Sequence, residues 1–286
     1  MIQVEKCCWK RSESVELYGK LFLPEDRMLA LMIIVHGIGQ HSGCYDGWAE
    51  RFALQHIGVL SFDLRGHGRS PGIRGHASIN VIKDDLRAII ENMQKRFPDI
   101  PIVLFGHSMG GHIVLSHAID KNAGVQGIIA SSPWLKLVRP PPLLLVNLAK
   151  WASHIVPWLT VRTGIRADQL SQGGVGTKST KTDPLLHKKI SIKLFSDLWT
   201  NSRIILRNKY PLNVPFLLMH GTADPLVSFK AGKSFANKNR KIVTFKKWRN
   251  MRHDLLNDTG KEMVFRHMMK WLFKHVIRKW NRSELS

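Results

Sequence analysis

The sequence predicts an α/β protein in which helices flank both faces of a mostly parallel central sheet. Short β-branched runs alternate with longer amphipathic runs along most of the chain, which is the order that strand–helix–strand units produce. The run Met32–Val35 is apolar at every position, as strands buried on both faces of a parallel sheet are. In such sheets the chemistry collects at the carboxyl ends of the strands, so polar motifs that follow strands are the candidates for function.

The alternation of runs gives a definite order of elements. Strands are predicted at Ser14–Leu23, Ala30–Val35, Val59–Asp63, Ile102–Phe105, Val125–Ala130, Val214–His220 and Lys241–Trp248. Helices are predicted at Gly47–Gln55, Ile79–Arg96, Met109–Ile119, Phe229–Asn237 and Lys261–Lys279. The amphipathic spacing of the helices suits packing of one side against a sheet.

The alternation stops between Pro133 and Asn213, where no clear buried strand is found. An insertion of this length between two late core strands is typical of a cap over an active site. We therefore expect residues 1–132 and 214–286 to form the core domain and residues 133–213 to form a helical cap. Within the cap, the apolar stretch Leu143–Val161 predicts a helix that either packs on the core or meets acyl chains or a lipid surface.

The segment Gly106–Gly110 reads Gly-His-Ser-Met-Gly and lies between a predicted buried strand and a predicted helix. In that setting the motif indicates a nucleophile elbow, a tight turn that presents the hydroxyl of Ser108 above the edge of the sheet. The flanking glycines allow the turn to close without steric clashes. Ser108 is therefore the candidate nucleophile.

A serine hydroxyl needs a base to activate it and an acid to orient that base. Where a serine lies on such an elbow, the acid and then the histidine follow it in the chain. Asp224, in the turn after the strand that ends near His220, is the candidate acid. His253, after the last predicted strand, is the candidate base, chosen by position from 14 histidines. This arrangement predicts acyl transfer through a serine–histidine–aspartate triad.

Attack on a carbonyl creates an oxyanion, which positioned N–H groups must stabilise. One expected donor is the backbone of Met109, directly after the nucleophile. The second is expected in the glycine-containing turn after Ala30–Val35, most plausibly the N–H of Ile38. His36, in the same turn, is interpreted as a structural residue.

Asp63 is a rival for the acid because it also follows a predicted strand. It precedes Ser108 in the chain, which is the wrong order for this arrangement. We therefore interpret Asp63 as a carboxylate that fixes a loop, with Arg65 as its ion-pair partner or the partner of a neighbour.

The composition and net charge limit the binding partners that the sequence predicts. The chain has 43 Lys and Arg against 21 Asp and Glu, a formal charge of +22. Nucleic acid is not expected as a partner because no motif for binding it accompanies the charge. An anionic membrane surface remains a possible partner, reached through the cap or the basic segment Lys261–Lys279.

The three cysteines are expected to be free thiols, and neither a signal peptide nor a transmembrane run is found, which predicts a cytoplasmic location.

Five motifs together resemble the monoacylglycerol lipase and lysophospholipase group of α/β-hydrolases, which are serine aminopeptidase S33-type hydrolases. The motifs lie at His36–Tyr45, Asp63–Ser70, Gly106–Gly111, His220–Asp224 and His253–Asn257. The resemblance implies that Ser108, Asp224 and His253 form the triad and that Ile38 and Met109 supply the oxyanion donors. It also implies cleavage of medium- or long-chain acyl esters without a metal or cofactor, beneath a cap that often touches membranes. Gln40 and Cys44 stand where the lipase usually has Glu and Arg.

Other functions stay open at this stage. A short-chain carboxylesterase, an acyl-thioesterase or a peptidase could use the same side chains. A ligand-binding sensor built on a hydrolase fold is the alternative from another class. The residues do not indicate an oligomeric state.

Overall fold

A computed structural model of the chain describes residues 2–12, 15–119, 124–172, 182–207 and 212–283. The strands are β1 (Gln3–Ser12), β2 (Val15–Leu23), β3 (Ala30–Val35), β4 (Ile57–Phe62), β5 (Ile102–His107), β6 (Gly127–Ser131), β7 (Thr160–Arg162), β8 (Lys189–Ser191), β9 (Phe216–Gly221) and β10 (Val243–Trp248). The α-helices are α1 (Asp46–Ala53), α2 (Ile79–Arg96), α3 (Met109–Ile119), α4 (Leu143–Ala152), α5 (Ala167–Leu170), α6 (Ile192–Arg207), α7 (Phe229–Lys238), α8 (Lys261–Leu272) and α9 (Arg278–Ser283).

The predicted α/β fold with a mostly parallel sheet is confirmed. Among the described residues, one large sheet has the strand order β1-β2-β4-β3-β5-β6-β9-β10. Strands β1 and β2 run antiparallel to their neighbours, and the pairs from β4 to β10 are parallel. The chain passes from β3 to β4 on one side and then to β5 on the other. The carboxyl ends of β3 and β5 therefore flank a topological switch point, where ligands bind in open α/β sheets.

The core lies on both faces of the sheet, which explains why β3 is apolar throughout. Leu31, Ile33 and Val35 pack into one apolar cluster, whereas the alternate residues of the strand pack into the cluster on the opposite face. Successive side chains of a strand point to opposite faces, so a strand covered on both sides needs apolar residues at every position.

The first strand was not among the predicted elements. β1 pairs with β2 at the edge of the sheet, where its half-buried side chains include Glu5, Cys7 and Trp9 rather than aliphatic residues. An edge strand needs no continuous apolar run. The three cysteines, Cys7, Cys8 and Cys44, are free thiols.

The C-terminal helix is helical as predicted but is not a single α-helix. A π-helical segment at Phe273–Ile277 separates α8 from α9. Trp271, Leu272, Val276 and Ile277 are buried in the core. The neighbouring basic residues Lys270, Lys274, Arg278 and Lys279 are exposed. The segment is thus a core helix with a basic outer side, and apolar spacing alone does not reveal a π turn.

The segment between β6 and β9 contains more order than the sequence indicated. Strands β7 and β8 pair antiparallel in a separate two-stranded sheet. Helix α4 is shorter than the predicted Leu143–Val161, and only Val146 of its ten residues is buried. Of the two interpretations left open for this stretch, packing on the core therefore applies to Val146 but not to most of the surface of α4. The loop Gln172–Gly176 lies outside the described residues except for Gln172.

None of the helices in the described ranges combines the length and apolar character that crossing a bilayer requires.

The turn from β5 to α3 depends on the two glycines predicted to permit it. A Cβ atom added at Gly106 would lie closer than 3.0 Å to the carbonyl oxygen of Gly110, and one added at Gly110 would lie closer still to the carbonyl oxygen of Val35. Both contacts are with backbone, which a change of rotamer does not relieve. The close approach of α3 to β3 and β5 therefore requires glycine at both positions.

We expect Gly110→Ala to destabilise the fold by about 3 kcal/mol or more, because the added methyl group forces β3 and α3 apart. Gly47→Ala is the matched control, since a Cβ atom at Gly47 in α1 meets no atom within 4 Å. The control should be neutral or stabilising by roughly 0.5–1 kcal/mol. Urea unfolding of both variants measures the difference, and equal midpoints would contradict the close approach.

Candidate active site

Ser108 lies at the carboxyl end of β5, between His107 and the first residue of α3. Its φ of +55° is in the left-handed region, which a non-glycine residue adopts only when its surroundings hold it there. Its N–H donates to the carbonyl of Ser131 at 2.9 Å, and its own carbonyl accepts from the N–H groups of His112 and Trp134, each at 3.0 Å. These bonds hold the strained turn and keep the side chain of Ser108 at the edge of the sheet.

Asp224 follows β9 and is bonded through both carboxylate oxygens. Oδ1 accepts from the backbone N–H groups of Leu226 and Val227, at 2.9 and 3.0 Å. Oδ2 accepts from Nδ1 of His253 at 2.8 Å and from Nε2 of His220 at 3.2 Å. Burial acts to raise the pKa of Asp224, but the two histidines outweigh it and hold the pKa well below its usual range. Asp224 is therefore an ionised, fixed acceptor.

His253 follows β10 and is almost completely buried. Because the ionised Asp224 can only accept, Nδ1 of His253 carries the proton and Nε2 is left as the basic nitrogen. Burial acts to lower the pKa of His253, but the charge and hydrogen bond of Asp224, with the charge of Asp254, raise it above its ordinary value. Such an oriented imidazole can accept a proton from a hydroxyl group.

One cavity is lined by three of the five predicted site residues. It has a volume of about 320 Å³, and Ser108, His253 and Ile38 all form part of its wall. Asp224 is not part of this wall, but its carboxylate accepts a hydrogen bond from His253, which is. The rest of the wall is largely apolar and comes from Trp134, Leu137, Pro141, Val161, Ile165, Ile190, Phe195, Pro225, Leu226 and Val227. The cavity lies at the carboxyl edge of the sheet, because Ile38, Ser108 and His253 follow β3, β5 and β10.

The loop after β3 lies directly against Ser108. A Cβ atom added at Gly37 would lie 3.4 Å from Cβ of Ser108. Oε1 of Gln40 accepts from the N–H of Gly37 at 3.0 Å and from the hydroxyl of Tyr45 at 2.9 Å, so the Gln40 side chain fixes the loop that carries Ile38. Met109 opens α3, and the first N–H groups of a helix have no partner within it. Ile38 and Met109 are thus backbone candidates on two sides of one serine.

His36 has the structural position expected for it. Its Nε2 accepts from the N–H of Leu64 at 3.0 Å, so its Nδ1 donates to the carbonyl of Gly37 at 2.8 Å. Burial lowers the pKa of His36 to about 4, which keeps the ring neutral. Through these two hydrogen bonds the His36 ring connects the loop after β3 to the loop after β4.

Asp63 is bonded to loops rather than to a histidine. Its Oδ1 accepts from the N–H of Ser42 at 2.6 Å and its Oδ2 from the N–H of Arg69 at 2.7 Å.

Arg65 does not pair with Asp63. Its guanidinium binds Asp85, with Nε 2.5 Å and Nη2 2.9 Å from the carboxylate oxygens. The expectation that Arg65 pairs with Asp63 is therefore wrong, and its partner is Asp85.

Sequence reasoning missed several residues of the site. His220 bonds the same oxygen of Asp224 as His253 does, and its spacing four residues before Asp224 could have indicated this. Two residues of the cavity wall, Arg139 and Arg162, gave no signal, because Arg139 lies in an irregular segment and Arg162 ends a three-residue strand that no apolar pattern marks. Which residues such segments bring to a cavity depends on tertiary contacts.

Comparison with known proteins agrees with this fold. The family model described as "Serine aminopeptidase, S33" matches residues 26–260. Monoglyceride lipase of Rattus norvegicus is 31% identical over 75% of this chain, which spans 71% of that protein. An uncharacterized abhydrolase domain-containing protein of Dictyostelium discoideum is 28% identical over 96% of this chain, which spans only 30% of that protein.

A solved structure is similar over most of the chain. The crystal structure of Paleococcus ferrophilus monoacylglycerol lipase matches with a TM-score of 0.84 and 31% identity, covering 91% of this chain and 99% of that one.

Replacing the two rival carboxylates should separate their roles. We expect Asp224→Asn to lower kcat for an ester about 10⁴-fold, because the amide favours the wrong tautomer of His253. Asp63→Asn should instead destabilise the fold by about 1–3 kcal/mol. The N–H₂ group of asparagine cannot accept one of the hydrogen bonds that backbone N–H groups donate to Asp63. Ester kinetics and urea unfolding on both variants test this. A fully stable Asp63→Asn protein with the larger loss of kcat would make Asp63 the acid.

Proposed function

We propose that this chain, which belongs to the serine aminopeptidase S33 family of α/β-hydrolases and is a carboxylic ester hydrolase, cleaves lipid-like acyl esters through Ser108, His253 and Asp224. The observation that carries this proposal is the hydrogen bond of 2.8 Å between Asp224 and His253 beside a cavity that Ser108 also lines. The names of the rat and Paleococcus relatives favour a monoacylglycerol as the substrate class.

The proposed reaction is a two-step acyl transfer. Nε2 of His253 takes the proton of Ser108 as its Oγ attacks the ester carbonyl, while the N–H groups of Ile38 and Met109 stabilise the oxyanion. The ester C–O bond then breaks, and the imidazolium gives its proton to the leaving alcohol. Water, deprotonated by His253, attacks the acyl-enzyme and releases the fatty acid and the free serine. Asp224 stays ionised and orients the imidazole throughout.

Residues 133–213 act as a cap in this proposal. The N–H of His187 donates to the carbonyl of Gly39 at 3.0 Å, and Asp183 pairs with Nε2 of His41 at 2.8 Å. The N–H of Asp254, next to the proposed base, donates to the carbonyl of Leu170 at 2.7 Å. The segment therefore contacts the loops that carry an oxyanion donor and the base. The apolar residues that it adds to the cavity wall support binding of an acyl chain there.

The exposed part of the cap supports a second proposal, which is contact with a lipid surface. Helix α4 leaves Leu143, Leu144, Leu145, Leu148 and Trp151 between 54% and 79% exposed. A cluster of exposed apolar side chains on a protein surface is typical of an interaction site. The net charge of the chain would add attraction to anionic lipid.

Replacement of the nucleophile tests the reaction. We expect Ser108→Ala to lower kcat by about 10⁴-fold or more and to abolish labelling by a fluorophosphonate, because the variant lacks the hydroxyl that His253 is proposed to activate. Ser132→Ala is the matched control, since Ser132 is also buried, has positive φ and follows the neighbouring strand β6.

The substrate for this comparison is a series of p-nitrophenyl esters from C2 to C16. Unchanged turnover by Ser108→Ala would overturn the assignment. A maximum at C2–C4 in the wild-type series would favour a short-chain carboxylesterase, and ligand binding without labelling would favour a sensor.

Flotation with vesicles tests the lipid contact. We expect Leu144→Ser with Trp151→Ser to reduce binding to phosphatidylglycerol vesicles at low salt, because both side chains lose apolar area at the surface. Leu54→Ser is the control, since Leu54 is 66% exposed on another element. Equal binding of wild type to neutral and anionic vesicles would exclude an electrostatic contribution, and equal binding of all variants would exclude α4.

A further inference from the structure

His220 places a second imidazole ring on the carboxylate of Asp224. It stands in β9, one residue before the strand ends, and its side chain is completely buried. Nε2 of His220 lies 3.2 Å from Oδ2 of Asp224 and 3.3 Å from the carbonyl oxygen of Val227. Both oxygens are acceptors because Asp224 is ionised, so Nε2 carries a proton and donates to them. The ring is therefore a hydrogen-bond donor to the carboxylate that orients the proposed base.

The surroundings of His220 fix the ring in this place. Strand β9 lies inside the sheet, between β6 and β10. The ring of Phe229, at the start of α7, meets the imidazole edge-on, with the ring centroids 5.8 Å apart. Helix α7 also approaches Nδ1 of His220 so closely that a Cβ atom added at Gly232 would lie 2.8 Å from it. A ring packed in this way has little freedom to turn away from Asp224.

The two imidazole rings share one carboxylate oxygen. Oδ2 of Asp224 accepts from Nδ1 of His253 at 2.8 Å as well as from His220, whereas backbone N–H groups occupy Oδ1. Burial acts to raise the pKa of Asp224, but the charge of His253 and the hydrogen bond of His220 outweigh it. Each donor stabilises the ionised carboxylate and makes it less basic. The donor of His220 therefore weakens the attraction of Oδ2 for the proton of His253.

Two further titratable groups face His253. Asp254 is the next residue in the chain, and the ring of His107, at the end of β5, has its centroid 4.8 Å from that of His253. Burial lowers the pKa of His107 to about 4, so this ring is neutral where His253 titrates. Among the described residues neither group hydrogen-bonds to His220, so an effect of His220 on His253 passes through Asp224.

We propose that His220 is a positioning residue of the site, which holds Oδ2 of Asp224 by its N–H and limits how strongly that oxygen binds the proton of His253. The proposal rests on the proposed function of Ser108, His253 and Asp224. With His220 in place, the carboxylate orients the imidazole but leaves more of it unprotonated near neutral pH, where a general base must be free. Without His220, Asp224 would hold the imidazolium more tightly and would lose one of the bonds that fix its own orientation.

The test replaces the ring of His220 in two ways. His220→Phe keeps a ring of similar shape without an N–H, and His220→Gln supplies an amide N–H₂ that can take the place of Nε2. His117→Phe is the control for loss of a buried imidazole, because His117 is 1% exposed near the end of α3 that lies away from Ser108. The kcat/KM for a p-nitrophenyl ester is measured from about pH 5 to about pH 9, since its acid limb reports the pKa of the base in the free enzyme.

We expect the acid limb of His220→Phe to move to higher pH by about half a pH unit to one pH unit, because a neutral hydrogen bond has an effect of that size. The stronger attraction of Asp224 raises the pKa of His253, so the free base is lost at a higher pH as the pH falls. At the plateau, kcat should fall about tenfold through poorer orientation of the base. His220→Gln should restore most of both values, and His117→Phe should keep the wild-type limb.

An unshifted acid limb in His220→Phe, or a limb at lower pH, would overturn the proposal. An equal shift in His220→Gln would do the same, because the amide donor would then have no effect. His220→Met, which also lacks an N–H, replaces His220→Phe if that variant does not fold. Failure of both to fold would make His220 a requirement of the fold and would also overturn the proposal.

Titration of the His253 ring by NMR keeps the test independent of hydrolysis. In protein with isotope-labelled histidine and Ser108→Ala, the signal of His253 is assigned by its loss in His253→Gln. Addition of His220→Phe should raise the pKa measured for His253 as far as it moves the acid limb. If wild type hydrolyses no ester but this rise is seen, the proposed reaction fails and the coupling through Asp224 stands. Equal pKa values with and without His220→Phe would refute the coupling alone.

Discussion

The buried carboxylate of Asp224 is the constraint on which the rest of the site depends. Moving a charge out of water is costly unless hydrogen bonds replace its solvation. Asp224 receives four such bonds, two from its own turn and two from the rings of His220 and His253. A carboxylate held in this way cannot rotate without losing donors, so the orientation of His253 is fixed by the stability of the fold itself.

The same turn connects the core to the segment above it. The bridge between Leu137 and Val227 and the bond from Val138 to Leu226 join the start of the segment between β6 and β9 to the turn of Asp224. Similar backbone bonds join His187 to Gly39 and Leu170 to Asp254. The wall of the cavity is therefore attached to the loops that follow β3, β9 and β10. Displacement of the segment between β6 and β9 would therefore strain these loops.

The sequence was sufficient for the parts of the molecule that obey local rules. A strand that is buried on both faces, such as β3, must be apolar at each position, and this gives a continuous apolar run in the sequence. Gly106 and Gly110 must be glycines where α3 crosses the sheet, so the turn can also be recognised from the sequence. Ser108, Asp224 and His253 became candidates because each follows a predicted strand, although β10, before His253, is only partly buried. Strand β1 could not, because an edge strand with half-buried Glu5 and Trp9 has no continuous apolar run.

Residues that act through tertiary contacts left no comparable pattern. Asp85 pairs with Arg65 across 20 positions, and nothing in the local sequence of either residue distinguishes this pair from one with Asp63. Arg139 and Arg162 meet the cavity because of backbone bonds to distant segments, which periodicity does not encode.

Strain and buried polarity are concentrated at one edge of the sheet. Of the non-glycine residues with positive φ in the described ranges, Ser108, Ser132 and Asn250 directly follow the ends of β5, β6 and β10 or lie within two residues of them. Only His56 lies at the opposite edge, before β4. Strained backbone persists where its surroundings over-determine it, and such sites cluster where function requires a fixed geometry. The carboxyl edge therefore combines the least favourable backbone conformations with the buried charge of Asp224, and the apolar clusters on both faces of the sheet supply the stability that holds them in place.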